Sequence, residues 1–245
     1  MRSSTASLEA VKVPVGKPEN DASRVLVLIV DDDERVCEAV QELVQSVGLD
    51  AACFGSAQEL LQSEAYERPG CLVLDVRLPG LSGLDFQRYL NSSGKTKPIV
   101  FITGHADIPM TVQAIKAGAV DFLTKPFRDQ SLLDAIKAAI ERDIARRAEE
   151  TIVQQHLERF DTLTARERQV LRELVNGRPY KQIAFDLGIS AVTVKLHRGQ
   201  VMKKMGAKSI AELVRMSDRL CQSDVSFDRV NRWPRGLGAD SFAIR

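Results

Sequence analysis

Three aspartates and a glutamate, Asp31 to Glu34, follow an apolar run without a break in "VLVLIVDDDERV". Adjacent like charges repel, so carboxylates this dense need something to offset them, a cation above all. A further acid, Asp75, ends the apolar run "CLVLD"; Thr103 closes "IVFIT", and Lys125 follows "DFLT". Hard carboxylate oxygens with room for water suit Mg²⁺, which keeps few protein ligands and completes its octahedron with water or an anionic substrate. Asp75 then has a second option, because a carboxylate can accept a phosphoryl group as a nucleophile. Lys125 would offset the added charge, and Thr103 would hydrogen-bond a phosphoryl oxygen. Asp33 and Glu34 read as solvent-facing residues at the start of a helix, where negative charge is favoured.

Asp31, Asp32, Asp75, Thr103 and Lys125 can act together only if the chain carries them to one place. From residue 24 the short apolar runs "RVLVLIV", "DAACF", "GCLVLDV", "PIVFIT" and "DFLT" alternate with helical stretches. Five strands alternating with helices imply βαβ units and a doubly wound, five-stranded parallel sheet with helices on both faces. Ligands of such sheets gather beyond the carboxyl ends of the strands, and all five residues stand at such ends. The first helix is expected from about Arg35 to Val47, stopping at Gly48. Ser56 to Glu59, "SAQE", has the spacing of a capping box. A later helix runs from about Pro109 to Ala117.

Residues 129–159 contain no Gly or Pro and are charged throughout, which predicts a long helical linker continuing the last helix of the first domain, 24–128. Leu132, Ile136, Ile140, Ile144, Ala148 and Ile152 recur every four residues, so their stripe winds around the helix by about 40° per step. A strict heptad seam fails at Asp143, Arg147 and Glu150, which favours a packed or partly dimeric connector over a sustained coiled coil. Residues 160–220 then read as four short helices with tight Gly turns, the pattern of a helix-turn-helix module. "TARE" caps the first, Gly188 closes the second, and Ser190 and Gly206 bound the third.

The net charge of +1 hides an asymmetry. Residues 24–128 carry 10 Lys and Arg against 14 Asp and Glu, while residues 160–220 carry 12 against 6. An acidic first half and a basic second half suggest a cation site in one and a polyanionic partner in the other. Cys37, Cys53, Cys71 and Cys221 have no metal-ligand spacing and read as reduced thiols. No apolar run approaches the ~18 residues of a membrane helix. Residues 1–23 read as a disordered lead-in without a signal peptide's apolar core, and residues 221–245 as a loosely ordered tail. The expected location is the cytoplasm.

The motifs "VDDD", "LVLDVRLPGLSG" and "FITGHADIPMTVQAIKAGAVDFLTKPF" resemble the receiver domain of two-component response regulators, a flavodoxin-like, CheY-like fold. The resemblance implies phosphorylation of Asp75 by a sensor histidine kinase. It implies Mg²⁺ on Asp32, Asp75 and the Arg77 backbone carbonyl, with Asp31 holding it through water. Thr103 and Phe122 are implied to switch conformation, and Lys125–Pro126 to be a cis peptide. Phe122 stands where many receivers carry Tyr, so any switch there is steric; a plain core role is the other reading. His105, in the loop after Thr103, reads as conformational rather than as a ligand. A phosphatase with an aspartate nucleophile needs a second carboxylate two residues on, and "DVR" offers Arg77.

Residues 160–220 resemble the DNA-binding domain of the LuxR/FixJ group through "LTARERQVL", "KQIAFDLGISAVTVKLHRGQVMKKM" and "SIAELV". Ile183, Ala184, Leu187, Ile189, Val194, Val201 and Met205 form the packed face at helical spacing. Lys195, His197, Arg198, Lys203 and Lys204 lie on other faces, where a DNA major groove is the expected partner. By the resemblance, Lys195 and Leu196 lie toward bases, and Lys181, Thr193 and Arg198 contact phosphates or bases. Gly199 is unexpected inside a helix, since Gly costs roughly 1 kcal/mol against Ala; it either permits close approach to DNA or is tolerated. The whole reads as a regulator that binds promoter DNA and dimerises on phosphorylation, not as an enzyme acting on outside substrates. A phosphoryl-relay or protein-interaction receiver without sequence-specific DNA binding is the alternative.

Overall fold

The computed structural model describes residues 24–105 and 107–222. The expected lead-in lies outside the described residues, as does the expected tail, save Cys221 and Gln222 at the end of the last helix. The chain divides after Ala145 into two compact units.

The first unit alternates strand and helix: β1 (Leu26–Val30), α1 (Glu34–Ser46), β2 (Asp50–Phe54), α2 (Ala57–Gln62), β3 (Gly70–Asp75), α3 (Gly83–Ser92), β4 (Ile99–Thr103), α4 (Ile108–Lys116) and β5 (Asp121–Thr124). The strands form one parallel sheet in the order β2-β1-β3-β4-β5. Side chains alternate across it. Leu28, Val30, Leu72, Leu74 and Phe101 pack with Leu60 of α2 and with Phe86 and Leu90 of α3. Val27, Ile29, Val73, Val100 and Ile102 pack with Val40 and Val44 of α1 and with the start of α5 (Asp129–Asp161). Burial of both sheet faces is why these strands read as unbroken apolar runs.

Local sequence fixes the helix ends. Asp33 caps α1 by accepting from the Arg35 amide at 3.0 Å. Ser56 accepts from the Glu59 amide at 3.2 Å, but the Glu59 carboxylate reaches past Ser56 to the Gly55 amide at 2.9 Å, so the expected reciprocal box is displaced by one residue. In "TARE" both halves of the box form, Glu167 N–H to Thr164 Oγ1 at 3.3 Å and Thr164 N–H to Glu167 Oε2 at 2.8 Å.

The winding stripe of α5 is observed. Leu132 and Ile136 are fully buried, Ile140 is half-buried, and Ile144 is 52% exposed. Asp143 is 0% exposed and accepts from the Gly70 amide at 2.9 Å. Gly70 has φ +135°, and a Cβ there would lie 2.0 Å from the Leu26 carbonyl oxygen, so only glycine fits this strand start.

The second unit comprises the end of α5, α6 (Ala165–Val175), α7 (Tyr180–Leu187), α8 (Ala191–Met205) and α9 (Ile210–Gln222). Val153, Leu157 and Phe160 of α5 are buried in one cluster with Leu171, Val201, Leu213, Met216 and Leu220. Residues 146–159, read from sequence as linker, therefore supply side chains to this unit's core. Val170 and Leu174 of α6, Ile183 of α7 and Val194 of α8 form a second cluster.

His156 lies on the same helix, 8% exposed, with no hydrogen-bond partner on Nδ1. Burial pushes its pKa below 6.5, and the charges of Arg219 and Arg159 add to the effect against Glu149 and Glu212. The unfolded chain then takes up a proton on His156 at a higher pH than the folded unit does. The unit should lose stability as pH falls below about 6.5 toward the lowered folded pKa. Chemical denaturation at pH 7.5 and 5.5 checks this, since His156→Gln should flatten that part of the profile.

Candidate functional site

Strand register brings the acidic site together. β1 is flanked by β2 and β3, so the connections leaving β1 and β3 diverge and open a crevice at their carboxyl ends. Asp31 follows β1 directly, and its amide donates to the Phe54 carbonyl at 3.2 Å. Asp75 ends β3 opposite Ile102, and Thr103 ends β4 opposite Thr124. The Lys125 amide donates to the Thr103 carbonyl at 2.7 Å, and the Lys125–Pro126 peptide is cis.

Lys125 Nζ stands 2.5 Å from Asp31 Oδ2 and 3.4 Å from Asp75 Oδ1. Asp31 Oδ1 accepts from the Asp33 amide at 3.0 Å, and Asp75 Oδ2 from the Arg77 amide at 3.1 Å. Asp31 and Asp75 are buried, while Asp32 is exposed beside them. Burial raises the Asp75 pKa and Asp31 raises it further, against the lowering by Lys125 and the Arg77 amide. Burial opposes the charge on Lys125, yet its hydrogen bond to Asp31 and the charges of Asp31 and Asp75 leave its pKa raised. One oxygen each of Asp31, Asp32 and Asp75 lie within 4.8 Å of one another, an all-oxygen donor set of the kind a small hard cation takes.

Thr103 is fully buried; its hydroxyl donates to the His105 carbonyl at 3.0 Å. Phe122 is half-buried on the same side of the sheet as Phe101, their ring centroids 5.9 Å apart. Arg77 is exposed. Gly83, at the start of α3, also shapes the site, although none of the residue patterns above singles it out. A Cβ there would sit 2.4 Å from the Asp75 carbonyl oxygen, so this residue sets how closely α3 approaches the acid. The signal was present: Ser82, which caps α3 by accepting from the Asp85 amide, directly precedes it.

In the second unit, Lys181, Lys195, Leu196, Gly199 and Lys203 are exposed, and Thr193 and Arg198 are half-buried. The Thr193 hydroxyl lies 2.8 Å from Ser190 Oγ in the α8 cap. Lys204 does not join the exposed set. Its ammonium donates to Glu167 Oε2 at 2.7 Å and to the Thr162 carbonyl at 3.2 Å, fastening α8 to α6. That pairing is the leading cause of the lowered Glu167 pKa.

A parallel sheet with acids at its switch point, followed in the same chain by a four-helix helix-turn-helix unit, is the architecture of response regulators, and this chain belongs to that family. Residues 27–137 match the response regulator receiver domain, and residues 161–217 match the bacterial regulatory proteins of the luxR family. The chain is 52% identical over 199 residues to Nodulation protein W of Bradyrhizobium diazoefficiens, covering 81% of this chain and 88% of that one. It is 48% identical over 198 residues to response regulator protein TodT of Pseudomonas putida, covering 81% and 87%. The solved structure of response regulator StyR matches with a TM-score of 0.69 and 44% identity, over 80% of this chain and all of that one. The protein is a DNA-binding regulator of transcription with a receiver domain. Among the described residues no helix is long and apolar enough to cross a membrane.

Proposed function

We propose that Asp75 accepts a phosphoryl group from a sensor histidine kinase and that its phosphorylation drives dimerisation and promoter binding through α8. The observation that carries this is Lys125, held between the Asp31 and Asp75 carboxylates at 2.5 and 3.4 Å. It offsets the charge of the nucleophile before transfer and of the acyl phosphate after it. In the transfer, an Asp75 oxygen forms a bond to phosphorus, the bond from phosphorus to the donor histidine nitrogen breaks, and the imidazole leaves carrying a proton. Asp31, Asp32, Asp75 and the Arg77 carbonyl are the groups that would hold Mg²⁺, which when bound neutralises phosphoryl oxygens. The Thr103 hydroxyl, in trading its hydrogen bond to the His105 carbonyl for one to the phosphoryl group, would draw the loop after β4 with it. Phe122 would follow into the space vacated, a steric switch without a hydroxyl.

Lys181, Lys195, Leu196, Arg198, Gly199 and Lys203 form the surface offered to DNA, with Thr193 at the α8 cap. Lys204 contributes through its bond to Glu167. On this proposal the protein acts on no outside substrate and works in the cytoplasm.

Adding Mg²⁺ at about ten times its dissociation constant should stabilise the wild-type receiver by about 1.4 kcal/mol. In Asp32→Ala that shift should vanish, and acetyl phosphate should no longer label the protein. An undiminished shift in Asp32→Ala, read by thermal melting with and without Mg²⁺, would contradict the metal assignment.

A further inference from the structure

Over its first two turns, the outermost strip of α8 is uncharged on the side that should meet DNA. Val192 is 68% exposed and Leu196 67%, although both belong to a helix that contributes Val194, Val201 and Met205 to the core. Gly199 continues their line. At about 100° per residue, Val192, Leu196 and Gly199 fall within an arc of about 60°; Lys203 continues it one turn on toward the end of the helix, and Lys195 lies about 40° outside it. The buried residues lie on the opposite side of the helix.

Nothing among the described residues accounts for Gly199. A Cβ there would meet no atom within 4 Å, and alanine is the stronger helix former by a wide margin. What the glycine achieves is the removal of bulk from the outer surface. The helix that bears the strip carries cations and no acid: α8 holds Lys195, Arg198, Lys203 and Lys204 and neither Asp nor Glu. Positive charge around an apolar strip fits a polyanion whose own surface carries apolar groups. In the major groove a base pair presents one such group, the C5-methyl of thymine.

On the reading that α8 enters DNA, we infer that Val192 and Leu196 recognise thymine methyl groups and that Gly199 provides the clearance for the helix to reach them. The ligand class is duplex DNA with thymines at fixed positions in each half-site, read by apolar contact. Lys195 and Lys203 flank the strip and supply contacts to phosphates or to base acceptors.

The test uses full-length protein treated with acetyl phosphate and Mg²⁺. Duplexes are selected from a random pool, and the tightest is resynthesised with uracil for thymine, which deletes the methyl and leaves base pairing unchanged. Wild type should lose roughly fourfold in affinity for each contacted methyl, and single uracil substitutions should confine the loss to one or two positions per half-site. Leu196→Ala should lose part of the uracil penalty, and the Val192→Ala/Leu196→Ala double variant should bind the thymine and uracil duplexes equally. Gly199→Ala should melt at higher temperature yet bind the thymine duplex more weakly. Equal binding of both duplexes by wild type overturns the proposal while DNA binding itself stands. An equal uracil penalty in wild type and Leu196→Ala also overturns it, because the methyls then act through DNA shape. Failure to select any duplex removes the DNA reading and this inference together.

Discussion

Asp75→Asn protein takes up no phosphoryl group from acetyl phosphate, while wild type is labelled in a Mg²⁺-dependent reaction. The asparagine keeps the shape of the side chain and an oxygen to accept the Arg77 amide hydrogen bond, now 3.1 Å long. It lacks the anionic oxygen that must attack phosphorus. The fold should not suffer. Burial and the neighbouring Asp31 already raise the Asp75 pKa, so the folded protein disfavours the charge that the substitution removes. Thermal melting should therefore place the variant no lower than wild type, and the labelling loss should be complete. Labelling at wild-type level would show that another residue is the acceptor.

A fragment of residues 161–222 should fail to fold, whereas residues 146–222 should melt cooperatively. The family match begins at residue 161, but the packing begins earlier. Val153, Leu157 and Phe160 are 9%, 4% and 6% exposed against α8 and α9 residues. Arg159 donates to the Met205 carbonyl at 3.1 Å, and the Arg168 guanidinium stacks 4.8 Å from the Phe160 ring. Losing three core side chains costs on the order of 2–4 kcal/mol each, comparable to the whole stability of a small domain. Circular dichroism melts of the two fragments decide it. Cooperative melting of the shorter fragment within a few degrees of the longer one would show that the end of α5 is dispensable.

The sheet was legible because each of its strands is a short apolar run bounded by turn residues, and helix starts because Ser56, Thr164 and Ser190 act within three residues of themselves. The acidic site was legible for a related reason: in a parallel sheet the last residue of a strand is also a position in space. What escaped was non-local. Asp143 looked like a break in a heptad seam, yet it is buried against the Gly70 amide 73 positions away. Lys204 looked like one more exposed cation on a basic helix, and its partner Glu167 lies 37 positions earlier. The apolar spacing of α5 correctly showed that its stripe winds, but spacing does not say which core receives each turn.

The most direct test compares DNA affinity of wild-type and Asp75→Asn protein by gel shift on a selected duplex, each with and without acetyl phosphate and Mg²⁺, at fixed salt. Phosphorylation has to favour the DNA-binding dimer by only a few kcal/mol to move the population decisively. Treated wild type should bind at least tenfold more tightly than untreated wild type, and both Asp75→Asn samples should match the untreated protein. Equal affinity of wild type in the two states, with labelling of Asp75 verified in the same sample, would contradict phosphorylation-driven DNA binding.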